Sequence, residues 1–467
     1  MTILLSIDAA SVSAPTGQIV APVSFSLKAG RPFTILGETG SGKSLLAQAI
    51  VGILPEGLVA TGSVIIDGKV LSLAEPKLFR PLWGRTVGVL PQEPWLALDP
   101  TMVAVEQVAE GHRYLGRLGE DEAISAARTD LEALGVLDAE AKLPGQLSGG
   151  MAQRVAFAAA RAGGARIIIA DEPTKGLDVD RRDEVIALLM QEVQSGGTVL
   201  TITHDLALAR QMGGDLAIML EGQIVEIGEA ADVLSSPTHD YTRRLIAAEP
   251  ENWSARTSGV RNDMDPILVA SGIGKTRGGK LLFSEQDLSL RPGEVVGITG
   301  PSGSGKSSLG DVLLGLLTPD AGDVTRLPQA SPVRFQKLYQ DPPSAFPQKI
   351  TLGQAISDLV RLHRLDASRV QPLMERLRLS PVLLTRLPTE VSGGELQRFA
   401  LLRVLLLDPV FLFADEPTSR LDLITQQETI DLLTELARER NCAVLLVSHD
   451  AALIEKTCDR QVQIGGA

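Results

Sequence analysis

The sequence predicts an α/β chain built twice over, as two tandem domains that each carry a mainly parallel core sheet with helices around it. Three observations predict this. Five short motifs occur once in each half, in the same order. In each half a short apolar run feeds directly into a glycine-rich loop and then a helical stretch. In each half a second apolar run ends in two adjacent carboxylates, the pattern of a parallel strand buried on both faces.

The repeats set the domain plan. GETGSGKS at 37–44 returns as GPSGSGKS at 300–307, and PQEPWLALDP at 91–100 returns as YQDPPSAFP at 339–347. LSGGMAQR at 147–154 returns as VSGGELQR at 391–398, and IIIADEPT at 167–174 as FLFADEPT at 411–418. TITHD at 201–205 returns as LVSHD at 446–450. The expected domains are 1–246 and 267–467, joined by a polar linker over 247–266 that carries Pro, Ser, Gly and Asn and no apolar period. The second half is shorter between its first two motifs and ends soon after His449, so it is expected to be trimmed in its antiparallel sheet and at its C-terminus. At ~3.3 Å per residue the linker spans some tens of ångströms, enough for the halves to face each other.

Composition narrows the class. A chain of 467 residues exceeds one ordinary domain, and 44% hydrophobic residues give each half enough to bury a core. A net charge of −13 argues against a nucleic-acid partner, which wants clustered Lys and Arg. The two cysteines, Cys442 and Cys458, lack metal-ligand spacing and fit a reducing cytosol. The start MTILLSIDAA lacks the basic residues of a secretory signal, and no apolar run reaches the ~18 residues of a membrane span. Any membrane contact is therefore expected to come through partner proteins.

The loops carry the chemistry. Gly37, Gly40 and Gly42, and Gly300, Gly303 and Gly305, let backbone N–H groups wrap phosphate oxygens. The helix that follows each loop points its positive end at the anion. Lys43 and Lys306 are expected to reach the β- and γ-phosphates, and Ser44 and Ser307 to ligate Mg²⁺. Asp171 and Asp415 are placed to hold Mg²⁺ through water. Glu172 and Glu416 are placed to orient or deprotonate the attacking water. An adjacent acidic pair also suits an ordinary helix start. Its place after the phosphate loop in both halves favours the chemical role.

These motifs resemble the ATP-binding-cassette ATPases, over nearly the whole chain. The most specific elements are Ser148-Gly149-Gly150 and Ser392-Gly393-Gly394, which resemble the family signature. The resemblance implies two tandem P-loop NTPase domains, each with an antiparallel β-subdomain and a helical signature subdomain. It implies that each signature helix caps the γ-phosphate of ATP bound to the other domain. It further implies that His204 and His449 are switch histidines that steady the glutamates. Gln92 and Gln340 are implied to contact Mg²⁺ and water and to link nucleotide to the membrane subunits, and Asp178 and Asp422 to belong to the interface loop.

The segments after Gln92 and Gln340, and Ser236–Arg243, are similar to the oligopeptide, dipeptide and nickel import group. His239 belongs to that last segment and is assigned no chemistry. The usual adenine-stacking aromatic is missing from both 11–17 and 274–279, though Arg277 offers a cation–π substitute in the second half, so loose adenine selectivity is expected. No iron–sulfur extension is expected.

The implied function is that of the ATP-hydrolysing subunit of a bacterial importer, with ATP and Mg²⁺ as cofactors and both sites hydrolytic. Its partners would be two transmembrane permease subunits and an extracytoplasmic solute-binding protein. Its place would be the cytoplasmic face of the inner membrane, with the two halves pairing within one chain. The cargo would be a peptide, nickel or metal chelate, or similar small solute. A soluble twin-cassette translation factor is disfavoured by the short junction. A DNA-repair or chromosome ATPase is disfavoured by the lack of coiled-coil or zinc insertions, and a fused ATPase of an energy-coupling vitamin or metal importer by the import-group segments.

Overall fold

The computed structural model describes residues 2–90, 97–174, 179–256, 258, 260, 263–301, 303–419 and 421–465. The chain divides into two compact units, Met1–Ile246 and Ala247–Ala467.

Unit one holds a six-stranded sheet in the order Gln223–Glu229, Asp215–Leu220, Phe33–Leu36, Thr198–Thr203, Ile167–Asp171, Val87–Leu90. All neighbours are parallel except the first pair. The apolar run before Asp171 serves two cores at once, because successive side chains on a strand face opposite ways. Ile167 and Ile169 pack with the phosphate-loop helix Lys43–Val51 and with a four-stranded antiparallel sheet. Ile168 and Ala170 pack against the helical side, including Val155 and Phe157 of helix Gly149–Arg161. This is why the strand reads as a continuous apolar run rather than an alternation.

Unit two repeats the plan with fewer strands. Its parallel sheet runs Phe335–Leu338, Phe411–Asp415, Ala443–Val447, Val295–Thr299, Arg460–Gln463. Phe411 and Phe413 face the core under a three-stranded antiparallel sheet, while Leu412 and Ala414 face the helical core. Helices Ala230–Ser235 and Asp240–Ala247 of the first half have no counterpart among the described residues of unit two.

Residues 247–256, read from sequence as the start of a polar linker, pack with unit two. Trp253 is 5% exposed, shares a core with Leu433, Leu436 and Leu453, and donates its indole N–H to Ala248 O at 3.0 Å. Arg256 bonds Thr434 and Asp431 and lies over the Trp253 ring. A single aromatic anchor in a polar stretch has no period, so hydrophobic patterning does not register it. Trp253→Ala should destabilise unit two by about 3 kcal/mol through cavity formation. The denaturant midpoint followed by circular dichroism reads this, and an unshifted midpoint would show that the segment only lies on the surface.

Candidate active site

Both phosphate loops leave the C-terminal end of a buried central strand, the edge where parallel sheets bind ligands. Their backbone demands glycine. A Cβ on Gly37 would lie 2.1 Å from Met219 O, and one on Gly42 would lie 2.8 Å from a Val20 methyl. In unit two the same test puts Gly300 at 2.2 Å from Ile464 O and Gly305 at 2.8 Å from Leu282 Cβ. Gly40 and Gly303 have open space but positive φ, 88° and 74°.

The lysine that follows turns back into its own loop. Lys43 Nζ donates to Gly37 O and Glu38 O, both at 2.7 Å, and to Ser41 Oγ at 3.3 Å. Lys306 Nζ donates to Gly300 O at 2.8 Å and Pro301 O at 2.9 Å. Burial pulls the Lys306 ammonium below the usual lysine range, against the pull of Glu416 and Asp415. Each ammonium is thus fixed at the inner wall of a loop whose N–H groups suit an anion.

The residues expected to hold Mg²⁺ meet in both units. Ser44 Oγ donates to Asp171 Oδ1 at 3.0 Å, and Ser307 Oγ to Asp415 Oδ1 at 3.1 Å. A hydroxyl and a carboxylate at the phosphate edge are hard oxygen ligands, and so fit Mg²⁺. Burial pushes the Asp415 carboxyl up, opposed by the Ser307 hydrogen bond and the Lys337 ammonium.

The next residue in each unit breaks the strand. Glu172 and Glu416 take left-handed φ values of 49° and 46°, a conformation that costs a non-glycine residue about 1 kcal/mol or more. Their N–H groups donate to Ile202 O and Val447 O on the neighbouring strands. This kink turns each carboxylate toward the histidine at that neighbouring strand's end. His204 Nδ1 lies 2.8 Å from Glu172 Oε1, and His449 Nε2 lies 2.8 Å from Glu416 Oε1. Gln340 Nε2 donates to the other oxygen of Glu416 at 2.7 Å. Gln92 and Asp178 lie outside the described residues.

The signature serines cap helices. Ser148 Oγ accepts from Met151 N, and Ser392 forms a capping box with Glu395. Gly149, Gly150 and Gly393 have nothing within 4 Å of a Cβ, so no neighbour within the unit explains their glycine. Asp422 is the N-cap of helix Leu423–Glu439, accepting from Thr425 N at 2.9 Å. Arg277 is exposed on a hairpin of the antiparallel sheet.

The structure adds residues that motif reading did not single out. Tyr241 is buried, and its hydroxyl accepts from the loop N–H of Glu38 at 3.2 Å. Buried Gln153 donates to Pro173 O at 2.7 Å, tying the signature helix to the turn after Glu172. The sequence signal for Tyr241 is its place within Ser236–Arg243, the segment similar to the import group.

The fold and the sites define a nucleotide-binding ATPase with two phosphate-loop domains. The family profile for ABC transporters matches residues 20–175 and 283–419, and the chain belongs to that family. It binds ATP and is a transport ATPase. It is 32% identical to the peptidoglycan transport ATP-binding protein YejF of Agrobacterium fabrum, over 94% of this chain and 86% of that one. It is also 32% identical to the glutathione import ATP-binding protein GsiA of Escherichia coli strain K12, over 94% of this chain and 80% of that one. Among solved structures, the RNase-L Inhibitor superposes with a TM-score of 0.64 at 21% identity, covering 98% of this chain and 88% of that one. That likeness shows the fold alone.

Tyr241→Phe should weaken ATP binding at the first loop by roughly fivefold, the worth of one hydrogen bond that shapes it. Calorimetric titration reads this, and unchanged affinity would make the Tyr241 contact incidental to binding.

Proposed function

We propose that this chain hydrolyses ATP at two sites to drive import of a small solute through separate permease subunits. One observation carries the reading: in both units the strand-end glutamate is held 2.8 Å from its histidine, beside a serine–aspartate pair and a lysine-bearing glycine loop. Neither unit has lost a member of this set among the described residues.

Site one comprises Lys43, Ser44, Gln92, Asp171, Glu172 and His204, closed by Ser392–Gly394. Site two comprises Lys306, Ser307, Gln340, Asp415, Glu416 and His449, closed by Ser148–Gly150. The open space over Gly149, Gly150 and Gly393 supports this exchange, because it leaves a serine-capped helix start free to receive an anion. Mg²⁺ would be held by Ser44 and Asp171, and by Ser307 and Asp415, where it supplies charge neutralisation on the β- and γ-phosphate oxygens. Glu172 and Glu416 orient the attacking water and accept its proton, and the histidines fix the carboxylates in place. Closure around ATP and its release after hydrolysis would pass motion to the permeases, with energy supplied by differential affinity for the closed state.

The relatives named for peptidoglycan transport and glutathione import support a peptide-like cargo, which a solute-binding protein would deliver. No helix among the described residues is long and apolar enough to cross a membrane. Attachment at the cytoplasmic membrane face would therefore run through the permeases.

Glu172→Gln combined with Glu416→Gln should lower ATP turnover by about 10²–10⁴-fold while ATP stays bound. Turnover at the wild-type rate would remove the glutamates from catalysis. Ser392→Ala should lower turnover on the order of tenfold by stripping one γ-phosphate contact. Unchanged turnover would rule out signature exchange between the halves.

A further inference from the structure

In unit two a cation of the protein's own lies beside Asp415. Lys337 lies on strand Phe335–Leu338, in register with Phe413. Its ammonium is 2.7 Å from Asp311 Oδ1 and 3.7 Å from Asp415 Oδ2. It sits over the rings of Phe413 and Tyr339, at 5.3 and 5.4 Å from their centroids. The side chain is only 12% exposed. Asp415 is therefore shared: Oδ1 accepts from Ser307, and Oδ2 faces the ammonium.

This cluster is particular to unit two. Val89 stands where unit two has Lys337, Gln48 where it has Asp311, Ala47 where it has Gly310, and Ile169 where it has Phe413. The four differences meet in space. A Cβ on Gly310 would lie 2.1 Å from Phe413 Cε1, so the glycine makes room for the ring. The ring underlies the ammonium, and Asp311 fixes it. A neutral, apolar Val89 occupies the matching strand position of unit one, paired in register with Ile169.

We propose that Lys337 is an electrostatic positioning residue that weakens divalent-cation binding at site two. The proposal rests on the assignment of Ser307 and Asp415 to the metal. An ammonium 3.7 Å from the metal-side carboxylate neutralises part of the charge that attracts a dication, and it repels the dication directly. Asp311 cancels part of that effect, but the ammonium is the group held directly against Asp415. Site two consequently needs more Mg²⁺ to load than it would with unit one's residues at these positions. A transporter with two such sites would then respond in two steps to free Mg²⁺.

The test uses the full chain with Lys43→Ala, which silences site one, and Mn²⁺ as the spectroscopic probe. Free Mn²⁺ is counted by electron paramagnetic resonance in the presence of a non-hydrolysable ATP analogue. Lys337→Met should bind Mn²⁺ on the order of tenfold more tightly than the parent, and Lys337→Val with Asp311→Gln, which also removes the partly cancelling carboxylate, more tightly by a smaller factor. Lys337→Arg, which keeps the charge, should stay close to the parent. The reverse graft, Val89→Lys with Gln48→Asp in a Lys306→Ala chain, should weaken Mn²⁺ binding at site one by a similar factor. Unchanged or weaker Mn²⁺ binding in the charge-removing variants, with no loss on the reverse graft, overturns the proposal. No nucleotide-dependent Mn²⁺ binding in any chain overturns the metal assignment and the proposal with it.

Discussion

The two sites depend on one backbone constraint: between a buried strand and the next helix, the chain must pass through a loop in which side chains do not fit. At Gly37 and Gly300 a Cβ would drive into a carbonyl of the adjoining strand or terminal segment. Because the loop can pack this closely, the lysine side chain reaches back to carbonyls five and six residues earlier. The serine one residue further on then points at the carboxylate of a strand two places away in the sheet. Fixing that loop aligns the lysine, the serine and the aspartate together. The glutamate and histidine follow from the kink at the end of the same sheet.

The core explains how such a loop is tolerated. Strain at a left-handed glutamate persists only where the surrounding structure over-determines it. Here the strand before it is buried on both faces, and the kinked residue's N–H is held by the next strand. Repetition of this arrangement in both units, with different residues in the surrounding core, shows that the backbone hydrogen bond is kept while the packing varies, the histidine meeting its glutamate through Nδ1 in unit one and Nε2 in unit two. Ile169 and Phe413 fill matching strand positions with different volumes, and Ala47 and Gly310 adjust the helix above them.

Much of this was legible in the sequence. The fold class followed from apolar runs that end at glycines or carboxylates, because those residues mark where a buried strand reaches a polar edge. The glycine loops were legible as short local motifs, and the Ser44–Asp171 and Ser307–Asp415 contacts because each partner belongs to a motif placed where a strand reaches its polar edge. What patterning missed depends on contacts distant in sequence. Tyr241 reaches Glu38 across the unit, and Trp253 anchors a stretch whose polarity disguised it. Lys337 looks like an ordinary charge on a short strand until its burial beside Asp311 and Asp415 is seen. Charge counts treat such a residue as surface, whereas it is buried against two carboxylates.

If both units are complete, one chain binds two nucleotides at once. Native mass spectrometry of the intact chain with saturating Mg²⁺ and a slowly hydrolysed ATP analogue counts them directly. Two nucleotides per chain are expected, and a limiting stoichiometry of one or none would rule out two complete sites.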